Sequence, residues 1–317
     1  MSLWREYAAD PAVFCRTWAE CKHVLDGIGW NRGRLVAEYP KKWRRLFYDC
    51  LQKCEETPAK KLRIVERFKQ FIGTTEQERL RSGLVPTSRV YIPKNTWLES
   101  ALEANREQPF SAIVAVNNPS NHPDVLQLDD LHDGHALWKV EHSRPIDRSI
   151  TTLKNSINIL ARLSRNLIVI DPYLDPAEVQ SIIAIEAYLD SMSVDLADPP
   201  SLTLHYGRDT NVLFHSQSHE KDAKARLRGV MRSGQHIHCC VWRKPAASSP
   251  DRERFHDRFI ISELGGIGIQ GGAGVASKSQ HTSVYFLSDS DCQNQLNMFD
   301  SKAPAFELLC RFDTFLI

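Results

Sequence analysis

The stretch Phe255-His256-Asp257-Arg258-Phe259-Ile260-Ile261-Ser262-Glu263 combines a histidine, a cation and a carboxylate with aromatic and β-branched side chains. The apolar run predicts a strand. Side chains two residues apart project from the same face of a strand, about 6 to 7 Å apart, so His256 and Arg258 are placed to share one phosphate group. Glu263 falls at odd spacing and joins them only if the strand bends or ends before the Gly265-Gly266 pair.

These side chains are suited to separate roles in phosphoryl transfer. A neutral His256 has a ring nitrogen able to attack phosphorus, and Arg258 is suited to hold non-bridging oxygens by a charge-assisted fork. Glu263 is assigned the role of orienting a histidine ring. Asp257 is assigned to substrate binding. An alternative remains open in which the same residues form an edge-strand charge cluster, with Asp257 paired to a neighbouring cation.

A second apolar run lies upstream, where Leu167 to Ile170 precede Asp171-Pro172. It predicts a buried parallel strand whose carboxyl end opens into a loop. In open α/β sheets ligands bind at that end of the strands. From residue 146 onward, strand and helix patterns alternate, which predicts an α/β fold with a mostly parallel, helix-covered sheet and one late hairpin.

The spacing His256-x-Arg258-x4-Glu263 resembles the His-x-Lys-x4-Asp signature of the phospholipase D superfamily, which includes lipases, metal-independent nucleases and non-catalytic binding domains. The form His-Asp-Arg, followed by aliphatic residues and a glycine pair, is most similar to the phospholipase-D-like domain at the C-terminus of MIT-domain proteins and to related bacterial domains. The resemblance covers roughly the last half of the chain. Arginine replaces the signature lysine and cannot give up a proton, and glutamate replaces the aspartate.

The resemblance implies a mixed sheet covered by helices, with no metal or cofactor. In relatives a small-residue segment after the motif lines the pocket. Gly271 to Gly274 is similar to that segment, so backbone amides at Gly271, Gly272 and Gly274 are expected to bind phosphate oxygens, with a plain hairpin as the alternative. Catalytic members use two histidines, and this chain offers one good motif. If the protein is an enzyme, a homodimer with two facing copies of His256 is therefore expected.

The first part of the chain is basic. Residues 1 to 75 contain fifteen Lys and Arg against nine Asp and Glu. The segment Lys41-Lys42-Trp43-Arg44-Arg45 interleaves charge with an aromatic ring, which is typical of a surface for nucleic acid or an acidic membrane, with Trp43 as a stacking or anchoring ring. A solvated helix face is the alternative.

Three regions are predicted along the chain. Residues 1 to 82 have apolar positions at helical spacing and form a basic helical region, and residues 83 to 145 form a small α+β segment. Residues 146 to 317 form the phospholipase-D-like domain.

Composition restricts the class of protein. The 317 residues are 42% hydrophobic and 25% charged, with a net charge of +1, as in ordinary globular proteins. No apolar run approaches the roughly eighteen residues needed to cross a bilayer, and the N-terminus lacks a signal-peptide core, so a cytoplasmic protein is expected. The eight cysteines are expected to be reduced.

Two functions remain open. The first is a metal-independent phosphodiesterase, a nuclease with a phosphohistidine intermediate, with a role in bacterial antiphage defence by association with similar domains. The second is a non-catalytic module of the same fold that binds nucleic acid, acidic lipid or a partner protein.

Overall fold

The computed structural model describes residues 2–75, 78–79, 81–192, 200–209, 216–244, 256–272, 281–300 and 305–316. The chain divides into two compact units. The N-terminal unit is Trp4–Glu141, and the C-terminal unit is His142–Ile317 together with Met1–Leu3. Both contain strands and helices, so the predicted α/β class is confirmed.

The N-terminal unit is built on a parallel sheet of five strands. Its elements in chain order are β1 (Arg5–Ala9), α1 (Trp18–Asp26), β2 (Arg34–Ala37), α2 (Trp43–Lys53), α3 (Pro58–Ile72), β3 (Leu84–Val85), α4 (Trp97–Glu107), β4 (Ala112–Ala115) and β5 (Val125–Gln127). The strand order is β3-β2-β1-β4-β5, and every neighbouring pair is parallel. This order places β1 at the centre of the sheet.

This arrangement differs from the predicted division at residue 82. Strands β1 and β2 lie inside the region expected to be helical, and they join β4 and β5 in one sheet. The signal for β1 is weak because Arg5-Glu6-Tyr7-Ala8-Ala9 is short and contains charged and small residues. Its strand conformation comes from pairing with distant segments, since Tyr7 is paired with both Val36 and Ala112.

The C-terminal unit contains a mixed sheet of eight strands. Its elements are β6 (Ser143–Asp147), α5 (Ile150–Leu163), β7 (Asn166–Ile170), α6 (Val179–Ser191), β8 (Ser201–Arg208), α7 (Ser216–Arg228), β9 (His236–Arg243), β10 (Phe259–Ser262), β11 (Gly265–Ile269), β12 (His281–Phe286), α8 (Asp289–Met298) and β13 (Leu308–Phe315). The strand order is β13-β9-β8-β7-β10-β11-β12-β6.

Parallel pairing is confined to the centre of this sheet. Strands β7, β8 and β9 run parallel, whereas β10, β11, β12, β6 and β13 join by antiparallel pairing. The expectation of a mostly parallel sheet is therefore corrected. Residues 146 and 147 lie in strand β6, and helix α5 begins at Ile150.

Strand β7 positions the functional site. It pairs with β8 on one side and with β10 on the other, so it lies in the interior of the sheet. Leu167, Val169 and Ile170 are buried, as their continuous apolar run predicts. The antiparallel register joins Phe259 to Ile170, which brings the residues just before β10 to the carboxyl end of β7.

Among the described residues, no helix has both the length and the apolar character that a membrane span requires.

Candidate functional site

The motif residues lie at the start of β10 rather than within it. His256 and Arg258 precede Phe259, the first residue of that strand. Because Phe259 is opposite Ile170, Arg258 lies beside Asp171, and its Nε is 3.7 Å from Asp171 Oδ1. The motif residues and Asp171 therefore meet at the carboxyl end of β7, the end at which ligands bind in open α/β sheets.

A cavity of about 340 Å³ opens at this position, within the size range of small-ligand sites. It contains two guanidinium groups, one carboxylate and a glycine pair. The lining residues are Arg148, Asp171, Tyr173, Leu174, Gln180, Ser181, Arg258, Gly271 and Gly272. Asp171 is the one carboxylate of this set, and the set holds no histidine or cysteine. The donors suit an anion better than a metal ion.

Arg258 is held from two directions and keeps a donor for a ligand. Its Nη1 donates to the carbonyl of Gln270 at 3.0 Å, and its guanidinium carbon lies 5.2 Å from the centre of the Tyr173 ring. Its Nε is buried and has no hydrogen-bond partner among the described residues. The Asp171 carboxylate at 3.7 Å partly balances its charge but lies too far to accept a hydrogen bond, so an anionic ligand in the cavity would supply the missing acceptor.

His256 is fixed by Tyr173. The Tyr173 hydroxyl and His256 Nδ1 are 2.8 Å apart, and the two rings stack with centroids 5.6 Å apart. In the tautomer that carries its proton on Nδ1, His256 donates to the Tyr173 oxygen and leaves Nε2 with its lone pair. The arrangement can therefore present a ring nitrogen as a nucleophile next to the cavity.

Tyr173 belongs to the candidate site, and the sequence did not predict it. It follows β7, and its ring contacts both motif residues and the Lys244 ammonium group, which lies 4.4 Å from the ring centre. Its backbone amide donates to Asp171 Oδ1 at 2.9 Å, which fixes the turn after the strand. The sequence feature that could have identified Tyr173 is its position in Asp171-Pro172-Tyr173, directly after a predicted buried strand.

Arg148 was also missed. It follows β6, and β6 is the edge strand farthest from β13 in the sheet order. Arg148 reaches the cavity because β6 pairs with β12, with Asp147 opposite His281. No local pattern marks this residue, since its position depends on pairing between distant strands.

The glycine pair permits the close approach of the two arginines. Gly272 has a φ of 109°, and a Cβ there would lie 3.0 Å from Arg148 Nη2 and 3.4 Å from Arg258 Nε. A side chain at this position would be strained and would crowd both cations. The amide of Gly271 donates to Thr282 Oγ1 at 2.6 Å, so it is already engaged rather than directed to phosphate. Gly274 lies outside the described residues.

Glu263 is not part of this site, which corrects the role assigned to it. Its carboxylate accepts hydrogen bonds from the backbone amides of Arg165 and Asn166, at 2.5 and 3.2 Å. These residues lie at the amino end of β7, because the register joins Ser262 to Leu167. Five residues of extended chain separate Glu263 from Arg258, roughly 16 Å. The strand neither bends nor ends early enough to bring Glu263 close to His256 and Arg258.

Asp257 is exposed and does not line the cavity. Desolvation raises the pKa of its carboxyl group, and the electrostatic influence of Arg258 and His256 lowers it to a smaller extent. A direct contact between Asp257 and a ligand in the cavity is therefore not indicated.

The basic segment of the N-terminal unit is divided between surface and core. Lys41, Lys42 and Arg45 are exposed, whereas the Nε of Arg44 lies 3.1 Å from Glu38 Oε1. Trp43 is fully buried, and its Nε1 donates to the carbonyl of Ala9 at 2.6 Å. The predicted stacking role of Trp43 is therefore wrong, while three cations remain on the surface.

The sequence matches no protein-family model and no curated protein. The functional argument therefore depends on the geometry of the site.

Proposed function

We propose that the C-terminal unit is a metal-independent phosphodiesterase of the phospholipase D type that acts on nucleic acid. The observation that carries this proposal is the pairing of His256 with Tyr173 beside a cavity that contains Arg148 and Arg258. A fixed imidazole next to two cations is what attack on a phosphodiester requires.

In the proposed first step, His256 Nε2 forms a bond to phosphorus while the bond from phosphorus to the leaving oxygen breaks. The leaving oxygen takes a proton from an acid. In the second step water attacks the phosphohistidine, the phosphorus–nitrogen bond breaks, and a phosphate monoester is released. Arg148 and Arg258 stabilise the charge on the non-bridging oxygens in both steps.

The leaving-group acid is proposed to be His256 of a second copy of the chain. Catalysis of the phospholipase D type uses two histidines, one as nucleophile and one as leaving-group acid, and this chain carries one good motif. A twofold homodimer would place two equivalent imidazoles at one phosphodiester, one as nucleophile and one as acid.

Nucleic acid is the proposed substrate because the chain presents exposed cations outside the cavity. Lys41, Lys42 and Arg45 are solvent-accessible, and neutralising phosphates with such residues releases counterions and favours binding to a polyanion. We propose that these residues increase affinity for long substrates, without a role in the chemical step.

The second candidate is a non-catalytic module that binds nucleic acid, acidic lipid or a partner protein. It is favoured by the position of Glu263, whose carboxylate is bonded to the amides of Arg165 and Asn166 and cannot orient His256. The replacement of the signature lysine by Arg258 favours it as well, since arginine binds phosphate but does not transfer a proton.

The test is cleavage of end-labelled single-stranded DNA, duplex DNA and RNA in excess EDTA. Wild type, His256→Ala and His132→Ala are compared, because His132 is an exposed histidine of the N-terminal unit and serves as the matched control. The proposal expects cleavage by wild type and His132→Ala, and none by His256→Ala. Retarded migration of the oligonucleotides with no cleavage by any protein would establish the binding module instead.

A further inference from the structure

A second cluster of polar side chains lies on β9 and β13. Asp313 is directly opposite His238 in the antiparallel register, and its Oδ1 is 2.6 Å from His238 Nδ1. His236 is two residues earlier on β9, and its ring centre lies 4.0 Å from that of His238. One ligand atom from each of the three side chains falls within 4.8 Å of the others.

We propose that His236, His238 and Asp313 bind a divalent transition-metal ion of the zinc class. Two imidazoles and one carboxylate are an established donor set for zinc, with bonds of about 2.0 to 2.2 Å that place tetrahedral ligand atoms roughly 3.3 Å apart. Imidazole pairs do not suit calcium or magnesium, which take oxygen ligands. The ion would fill the space between the three ligand atoms.

The side chains have the freedom to close on an ion. The side chains of His238 and Asp313 are 40% and 60% exposed, so neither is locked by packing. The contact of 2.6 Å between His238 Nδ1 and Asp313 Oδ1 is shorter than the spacing of about 3.3 Å between metal ligands, and the widest separation of 4.8 Å is longer. Opening the first by about 0.7 Å and closing the second by about 1.5 Å is within the reach of rotation of exposed side chains. The backbone positions are already fixed by the ladder between β9 and β13.

Three protein ligands leave a coordination position open. His238 and Asp313 also line a cavity of about 570 Å³, together with residues that include Gln293, Asn297 and Arg311. Water or a small ligand in that cavity would complete the coordination of the ion. The ion would also connect the edge strand β13 to β9.

This site is separate from the cavity that contains Arg148 and Arg258. His236 pairs with Ser201, which in turn pairs with Asn166 at the amino end of β7. Asp171, by contrast, follows the carboxyl end of β7. The inference therefore does not depend on the proposed phosphodiesterase chemistry, which uses no metal.

A second cross-strand pair of a histidine and an aspartate in this chain provides the control for the proposed metal site. His281 Nδ1 lies 2.7 Å from Asp147 Oδ1, and these residues are cross-strand partners on β12 and β6. Among the described residues, His236, His238 and Asp313 are the one group with the spacing of a metal site, so the His281 pair lacks a third ligand. His281→Ala removes a similar exposed histidine without touching the proposed ligands.

The experiment is titration of the metal-free full-length protein with Co²⁺ and Zn²⁺, followed by visible absorption and calorimetry. We expect one equivalent of Co²⁺ with the d–d bands of nitrogen and oxygen ligands in wild type and His281→Ala. In His236→Ala, His238→Ala and Asp313→Ala, affinity should fall more than about 100-fold, since even second-shell partners contribute about 10- to 100-fold. Zn²⁺ should raise the melting temperature of wild type and His281→Ala alone.

Three outcomes would overturn the inference. The first is no binding at millimolar metal, and the second is equal affinity in wild type and the three ligand variants. The third is thiolate-to-cobalt charge-transfer absorption, which would assign the ion to the free cysteines. Circular dichroism in EDTA checks that each variant is folded. Because each ligand is removed in a separate variant, the comparison with wild type can be made with any one of the three that folds.

Discussion

The hydroxyl of Tyr173 lies 2.8 Å from Nδ1 of His256, and the two rings stack. This contact links the loop after β7 to the residues that precede β10, two segments far apart in the sequence. Because Nδ1 is engaged with the Tyr173 hydroxyl, Nε2 is the ring nitrogen that is left to meet a ligand. The orientation of the imidazole therefore depends on a tyrosine, in place of the carboxylate that the motif spacing suggested.

Tyr173→Phe is expected to lower the rate of the chemical step about tenfold, because it removes a hydrogen bond worth about 1 to 1.5 kcal/mol while the aromatic ring remains. Single-turnover cleavage in EDTA measures the effect. Oligonucleotide affinity should change little, since the ring stays beside Lys244 and Arg258. Tyr48→Phe, which alters an exposed tyrosine of the N-terminal unit, is the control. A wild-type rate in Tyr173→Phe would show that the tyrosine does not orient His256.

Arg258→Gln is expected to remove one phosphate contact. The slope of log affinity against log salt should become shallower by about 0.7 for single-stranded DNA. Arg258→Lys should keep the slope but lose roughly tenfold in affinity, because an ammonium group cannot reproduce the planar fork. Fluorescence anisotropy across a salt series measures both. Arg228→Gln changes an exposed arginine of α7 by the same charge, and an equal effect in this variant would contradict a specific role for Arg258.

Glu263→Ala is expected to lower the free energy of unfolding and to leave the rate of cleavage unchanged. The carboxylate caps the amides of Arg165 and Asn166 before β7, and loss of these charged hydrogen bonds at a partly exposed position should cost about 1 to 2 kcal/mol. Urea unfolding measures the free energy, and cleavage of the folded variant measures activity. Glu186→Ala, at an exposed glutamate of α6, is the control. Lost cleavage with unchanged stability would restore Glu263 to the site.

We expect the free energy of unfolding to depend on pH because of His205. Burial lowers its pKa from 6.5 to about 4, the charge of Arg311 acts in the same direction, and Trp242 Nε1 donates to its Nδ1 at 3.1 Å. The unfolded chain then binds a proton that the folded chain does not, so stability falls as pH falls from 6.5 toward 4. At pH 5 this contribution is about 2 kcal/mol below its value at neutral pH.

His205→Gln keeps an acceptor for Trp242 and removes the titration. Its loss of unfolding free energy between pH 7 and pH 5 should be smaller than that of wild type by about 2 kcal/mol. Urea unfolding at the two pH values measures the difference. His142→Gln, at an exposed histidine of the same unit, should behave like wild type. Equal pH dependence in wild type and His205→Gln would contradict a neutral, half-buried ring at this position.

Local sequence patterns predicted the elements that have a strong apolar signal. The apolar run Leu167 to Ile170 predicted β7, and Asp171 after it marked the edge where the cavity lies. His256 and Arg258 lie at that edge because of the register between β10 and β7, which the sequence did not predict. Strand β1 was missed because its Arg-Glu-Tyr-Ala-Ala sequence has no strong strand preference, and pairing with β2 and β4 decides its conformation.

The sequence by itself determined the α/β class and the buried centre of the C-terminal sheet, and it brought a histidine and an arginine together in one short segment. These follow from side-chain burial and spacing along one segment. Only the tertiary structure decided that Tyr173 and Arg148 join Arg258, that Glu263 lies at the opposite end of the strand, and that Asp313 faces His238. Each of these contacts depends on which strands pair and in what register, because pairing brings together residues that no local pattern connects.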